Sequence, residues 1–489
     1  MEIKFFIKCA LIISILTLSI VPEGIAAKPN APVNVKEFGA AGDGIKDDTD
    51  AIIAAIMKNG DGVVEFPRGN YRITRTIEIV LSEKGTLGLS GRGGSARIIM
   101  EGEGPAFRFT GSHNGSAAPA SVSIITWDKE RMPLVDALEI VGANPKADGL
   151  EFRHTLMPVV RSMLIRNVHN GIHLVSRNRN VIIEGCHIYN CTGIGIYLDS
   201  VNLHQIIISD SHISYCKLGG IKAERSEIRD LQLTGNDIEY NCDPEGPVSA
   251  DIHIDCSEMG SVREGTISGN TIQAIPSPGG ANIRFTGPSG NSEQIGLWSI
   301  TGNHISNQTV NIDLIHTRGI SITGNTFIRG YSQNLTLDDC HNLIFSDNVI
   351  DRNKDYFPEK MICLDGISIL KSRGIILSNN IIDGVENGSP ESGGALTISD
   401  SREITVTGCH IINPKFRGIQ IDNSNNVRVN ECLIREDENN RRMIRALELK
   451  GTCHGSIIKD NLVGKGKKGD ILNNARGAVI DDNITIGDY

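Results

Sequence analysis

One six-residue phrase recurs from Ile183 onward. It reads aliphatic, two small or polar residues, Asn or Cys, any residue, then Ile. It appears as Ile183-Glu-Gly-Cys186-His-Ile188, Leu233-Thr-Gly-Asn236-Asp-Ile238, Ile267-Ser-Gly-Asn270-Thr-Ile272 and Ile300-Thr-Gly-Asn303-His-Ile305. Ser211 fills the slot between Cys186 and Asn236, and later copies centre on Asn325, Asn348, Asn380, Cys409, Cys432, Asn461 and Asn483. The spacings are 25, 25, 34, 33, 22, 23, 32, 29, 23, 29 and 22 residues. A base period this short excludes a strand–helix–strand crossover, which takes about 30 residues or more. It fits three short strands wound once around an axis, each turn stacking on the last. Asn recurring at one turn can pair its amide with the neighbouring coil.

Each coil also supplies a strand of alternating pattern: Gly171-Ile-His-Leu174, Gly195-Ile-Tyr-Leu198, Gly220-Ile-Lys-Ala223, Asp251-Ile-His-Ile254, Asn282-Ile-Arg-Phe285 and Asn311-Ile-Asp-Leu314. A period of two buries the aliphatic residues and turns the residue between them outward. No long stretch carries the 3.6-residue period of a helix. The fold class is therefore all-β, a parallel β-helix solenoid of about 12 coils.

The N-terminal segment reads Val35-Lys-Glu-Phe38-Gly-Ala-Ala-Gly-Asp43-Gly-Ile-Lys-Asp47-Asp48-Thr49-Asp50-Ala-Ile-Ile-Ala-Ala-Ile56, followed by Val63-Val-Glu-Phe66-Pro67-Arg-Gly69-Asn-Tyr71. This resembles the signature of the pectate-lyase-like superfamily, shared by polygalacturonases, several lyases and phage tailspikes. The resemblance implies a right-handed solenoid whose open end is covered by a short capping helix. Asp48 or Thr49 is expected to cap that helix, Asp50–Met57, with Ile52, Ile53 and Ile56 facing the first coil. Residues 28–80 then form the cap and first coil of a single domain, 28–489.

The resemblance identifies a fold and not an activity. The Asn-Thr-Asp, Asp-Asp, Gly-His-Gly and Arg-Ile-Lys set of polygalacturonases is absent. The only Asp-Asp pairs are Asp47-Asp48, Asp338-Asp339 and Asp481-Asp482. The Trp-x-x-Asp-His and Arg-Pro-x-x-Arg patterns of the main pectate lyases are absent too, so no catalytic residue carries over by motif.

Ahead of the signature, a basic start (Met1 to Lys8), an apolar run from Cys9 to Val21 and the small-x-small Gly24-Ile25-Ala26 read as a signal peptide, residues 1–27. The protein is expected to be secreted or periplasmic, with no membrane contact after cleavage. A net charge of −10, with Lys and Arg spread along the chain, argues against a nucleic-acid partner. The ten cysteines after the signal show no metal-ligand spacing, and several recur at equivalent points of neighbouring coils, as stacked small apolar residues would.

Stacked coils lie about 4.8 Å apart, so outward residues form columns. Aligning the Ile-x-Ile triplets gives His173, Tyr197, Lys222, His253, Arg284, Asp313, Thr336, Cys363, Thr397, Gln420 and Glu448. A second column contains Asp199, Glu224, Asp255, Thr286, Asp338 and Asp365, and Asp251, Asn282 and Asn311 sit two residues before the first. The catalytic candidates are Asp255, Asp313, Glu224 and His253. The substrate-binding candidates are Lys222, Arg284, Asp251, Asn282, Asn311 and Tyr197. Enlarged spacings place loops around Asn241–Ser249, Ile275–Gly280 and Gly287–Ile295 beside this cluster.

The expected function is cleavage of a polysaccharide or oligosaccharide. A glycoside hydrolase is favoured because carboxylates outnumber bases in the cluster, and Glu224/Asp255 and Asp255/Asp313 offer two carboxylate spacings. The alternatives are a lyase on a uronic-acid polymer, with His253 or Lys222 as base and Arg284 or Lys222 holding the carboxylate, a transferase or C5-epimerase, or a non-catalytic glycan-binding surface protein. No cofactor is expected for a hydrolase; a lyase brings in Ca²⁺ on Asp251, Asp255 and Asp313. Monomer and homotrimer both remain open.

Overall fold

The computed structural model describes residues 32–357, 362–437 and 441–486; the signal-peptide segment lies outside them. The 45 strands among these residues join in one sheet system wound around a common axis. Neighbouring coils pair parallel and in register, as in Lys222↔His253↔Arg284↔Asp313. The strands fall on three faces. Fifteen lie on face one, from Ile77–Val80 to Ile471–Arg476, which exceeds the dozen coils expected because the N-terminal coils lack the Asn phrase. Face two follows in strands such as Ser261–Ser268, and face three in strands such as Asp237–Glu239 and Thr271–Gln273.

The period-two pattern does what its spacing dictates. Ile252, Ile254, Ile283, Phe285, Ile312 and Leu314 are fully buried inside the coil, while the residues between them face outward. All ten described cysteines are also buried, as thiols without a disulfide partner.

Between faces two and three the asparagines form a continuous ladder, Asn236–Asn270–Asn303–Asn325–Asn348–Asn380. Asn303 shows one rung. Its Oδ1 accepts from the Asn270 backbone N–H (3.0 Å) and Nδ2 (2.9 Å), and its Nδ2 donates to the Ile267 carbonyl (2.9 Å). Each amide thereby satisfies backbone groups that a sharp turn leaves unpaired.

The cap helix runs Thr49–Asn59 and buries Ile52, Ala55 and Ile56, with Ile53 half-buried. Its start differs from the sequence expectation. The Asp47 carboxylate accepts from the Thr49 N–H (3.0 Å), whereas Asp48 turns inward and accepts from Ala41 and Gly42 N–H groups (2.7 and 2.9 Å). The signature aspartates thus organise backbone.

The outward column is corrected at one coil. Ser368, not Cys363, pairs with Thr336, and Leu370, not Asp365, pairs with Asp338. Cys363 and Asp365 precede that strand, and both are buried. An inserted segment shifted the alignment by five residues.

Candidate active site

Face one gathers most of the expected residues. Tyr197, Lys222, His253, Arg284 and Asp313 succeed one another on adjacent strands, and Asp199, Glu224, Asp255 and Thr286 form the parallel row. The charged groups pair closely. Lys222 Nζ lies 2.6 Å from Glu224 Oε2, and the Tyr197 hydroxyl donates to Glu224 Oε1. Arg284 Nε donates to Asp313 Oδ2 (2.9 Å) and Nη2 to the Gly279 carbonyl (2.6 Å). Asp255 accepts from the N–H and hydroxyl of Ser257 (2.9 and 2.6 Å). His253 Nε2 stands 3.9 Å from Asp255 Oδ2, too far for a hydrogen bond.

Burial sets the protonation states. It depresses His253 to about 4; Asp255 pulls upward, while Lys222 and Arg284, one coil to either side, push further down. The imidazole is therefore neutral at physiological pH. Burial would raise the Glu224 carboxyl, but hydrogen bonds from Lys222 and Tyr197 outweigh it and hold the group below its usual range. Burial also keeps the Tyr197 hydroxyl protonated, reinforced by its bond to Glu224.

Three of the expected substrate-binding residues do not join this surface. Asp251, Asn282 and Asn311 are fully buried at the corner where face one begins. Asp251 accepts from Asn241 N–H (3.1 Å) and Asn282 Nδ2 (3.0 Å), and Asn311 Nδ2 donates to Asn334 Oδ1 (2.6 Å). Strand parity turned them outward in the sequence reading, but the chain folds over the corner and buries them in two bonded pairs, Asp251 with Asn282 and Asn311 with Asn334. Burial raises the Asp251 carboxyl well above the usual range, only partly offset by its amide donors. Asp251, sealed at the corner, does not share a surface with Asp255 and Asp313. Among the described residues no three His, Cys, Asp or Glu side chains are grouped to hold a metal ion.

Other residues stand beside the named candidates. Arg225 follows Glu224 at positive φ (51°), which folds its side chain back over the face. Its Nη2 reaches Asp199 Oδ1 (2.7 Å) and Glu224 Oε1 (3.0 Å). His173 stacks on Tyr197 with ring centroids 5.0 Å apart, its Nε2 3.5 Å from Asp199 Oδ2. A column lists residues of one parity, so a turn residue such as Arg225 is invisible to it. Asp199 was visible, but it resembled an ordinary strand-end cap. The enlarged loops leave from both edges of face one, and Arg284 is tied to one of them at Gly279.

Comparison with known proteins agrees with this architecture. Residues 32–102 match a family model described as rhamnogalacturonase A/epimerase, pectate lyase-like; residues 139–272 match a right-handed β-helix region; residues 263–441 match a periplasmic copper-binding protein (NosD) model. The chain is similar to the pectate-lyase-like superfamily over its N-terminal segment, and its fold is a right-handed parallel β-helix. Among curated relatives, alginate lyase 7 of Azotobacter vinelandii is 59% identical over 44 residues, 8% of this chain and 5% of that protein. Mannuronan C5-epimerase AlgE6 of the same organism is 39% identical over 84 residues, 16% of this chain and 10% of that protein. The chain therefore spans 10% or less of the length of either relative. The solved structure of pre-mature bacteriophage phi29 gene product 12 shares the fold at a TM-score of 0.56 and 11% identity, over 92% of this chain and 68% of that one.

Proposed function

We propose that this protein is an exported enzyme that removes the C5 proton from uronic-acid residues of a polysaccharide, leading to elimination or epimerisation. The observation that carries the reading is a largely shielded, neutral imidazole, His253, set between two cations on adjacent coils, Lys222 and Arg284. The reaction needs that combination. A base must take the C5 proton, and positive charge must meet the electron density that moves onto the C6 carboxylate. His253 accepts the proton as the C5–H bond breaks, and Lys222 and Arg284 hold the carboxylate. The protonated Tyr197 hydroxyl is the acid candidate. If the C4–O4 bond then breaks, O4 leaves with a proton and a C4=C5 double bond remains. If C5 is instead reprotonated from the opposite side, the sugar is inverted.

Hydrolysis, favoured from carboxylate numbers alone, fits this geometry less well. It requires one carboxyl that keeps its proton. Glu224 is held ionised by Lys222 and Tyr197, and Asp313 is engaged by Arg284. The raised carboxyl nearby, Asp251, is out of a substrate's reach. The short stretches shared with an alginate lyase and a mannuronan C5-epimerase lend support to uronate chemistry.

The test is incubation with a panel of polyuronates in D₂O. Deuterium at C5 identifies abstraction followed by reprotonation, as in epimerisation, and ultraviolet-absorbing products identify elimination, which leaves no hydrogen at C5. New reducing ends without C5 deuterium or ultraviolet absorbance would return the protein to the hydrolases.

A further inference from the structure

Face three carries a second set of functional groups that the proposed reaction leaves unused. Its outward row runs Arg166, Tyr189, Ser214, Glu239, Gln273, Ser306 and Ile328 on seven successive strands. Two concavities lie along this row. One, of about 400 Å³, is bordered by Tyr189, His212, Tyr215 and Glu239. The other, of about 240 Å³, extends from Gln273 to Tyr356. They adjoin where Gln273 Nε2 donates to the Tyr240 hydroxyl (2.8 Å). Six coil steps give a groove of about 29 Å, the dimension of a chain molecule rather than of a metabolite.

Tyrosines mark its rim. Tyr215 and Tyr240 stack with centroids 5.4 Å apart and planes within 20°. Both sit at positive φ (59° and 55°), at a turn where other coils place Asn167, Asn190 and Asn307. Asn adopts that conformation readily and a bulky ring does not. Nor does burial repay the substitution fully, because Tyr215 is 51% exposed. Rings held this way present flat, amphipathic surfaces.

The polar groups define the ligand. Arg166 is paired with Glu139 (2.8 Å), His212 Nδ1 lies 3.0 Å from Asp237 Oδ2, and Arg329 in the second concavity donates to the Tyr356 carbonyl and lies over the Tyr356 and Phe357 rings. Asp237 Oδ1 is buried without a hydrogen-bond partner, an acceptor awaiting a donor. Burial, together with Asp237, raises the Glu239 carboxyl above its usual range. Carboxylate acceptors, the Gln273 amide and ring faces suit hydroxyl groups. A polyanion would meet Asp237 and Glu239 beside the first concavity.

We propose that the face-three groove binds an uncharged, hydroxyl-rich glycan strand, on a flank of the solenoid separate from the face-one site. The test begins with the full chain on an array of neutral and acidic glycans, followed by affinity electrophoresis through gels containing a glucan, a galactan or a mannan. The double variant Tyr215→Asn/Tyr240→Asn keeps the turn conformation used by other coils. It should lose affinity for the retained glycan about tenfold, while turnover of short polyuronates stays unchanged. His253→Ala should bind the glycan as the wild type does, which separates this groove from the face-one reaction. In the unaltered chain, bound glycan should slow nitration of Tyr215 and Tyr240. Unchanged affinity of the double variant, retention of polyuronates alone, absence of retention, or unprotected tyrosines would each overturn the assignment.

Discussion

The imidazole of His253 offers the sharpest test of the site, because its protonation can be measured whether or not a substrate is known. Burial, with Lys222 and Arg284 on adjacent coils, brings it from 6.5 to about 4. At about pH 5.5 such a group is roughly 97% neutral, whereas an unperturbed histidine is roughly 9% neutral. A reaction that uses neutral His253 should therefore keep nearly its full kcat/KM from about pH 7.5 to about pH 5.5, where an ordinary histidine would lose about tenfold. Stability carries the opposite sign. As pH falls through 6.5 the unfolded chain takes up the proton first, so the folded state loses stability between about 6.5 and about 4. The full loss is about 3 kcal/mol at 1.36 kcal/mol per unit. Selective labelling of the imidazole and an NMR titration of the folded protein give the value directly, and Lys222→Gln or Arg284→Gln should move it upward. If His253 titrates near 6.5 in the native protein, the proposed base is an ordinary solvated histidine and the electrostatic reasoning fails.

Three further outcomes are expected. Asn303→Ala orphans the Asn270 N–H and the Ile267 carbonyl inside the ladder; it should cost about 2–5 kcal/mol and expose the Asn270 amide to hydrogen exchange, whereas Asn483→Ala at the half-exposed last rung should cost about 1 kcal/mol. Arg284→Ala leaves Asp313, 9% exposed, without its partner; denaturant midpoints should report a loss of about 3–5 kcal/mol, and an undisturbed midpoint would show that the pair is wetter than its burial implies. Asp251→Asn keeps the corner bonded but removes a carboxyl whose burial favours its protonated form. Because the unfolded carboxyl ionises first as pH rises, the variant should be the more stable chain at pH 7, and the gap should close toward pH 3.

The winding was legible in the sequence because its signal is redundant. Ile252, Ile254, Ile283, Phe285, Ile312 and Leu314 repeat one burial pattern, and Asn270, Asn303 and Asn325 repeat one turn. Register followed from the same repetition, so Lys222, His253, Arg284 and Asp313 were correctly placed as vertical neighbours. Parity failed at the corner. Alternation holds only while the strand continues straight, and Asp251, Asn282 and Asn311 stand where the chain bends into the next face. Insertions broke it elsewhere, as Cys363 and Asp365 show. Protonation was illegible, because the depression of His253 arises from burial and from charges 31 residues away in either direction along the chain. Attention to one face also left Tyr215 and Tyr240 unremarked, though both sit at one turn of neighbouring coils.

A molecule built by winding distributes its chemistry one group per storey. Lys222, His253 and Arg284 come from three separate storeys whose ends meet the same ladder and the same buried seam. Excising one storey would join the floors above and below without disturbing either, and would delete one chemical group rather than the architecture. Lineages of such proteins can change their reactions by trading storeys, at little risk to the building.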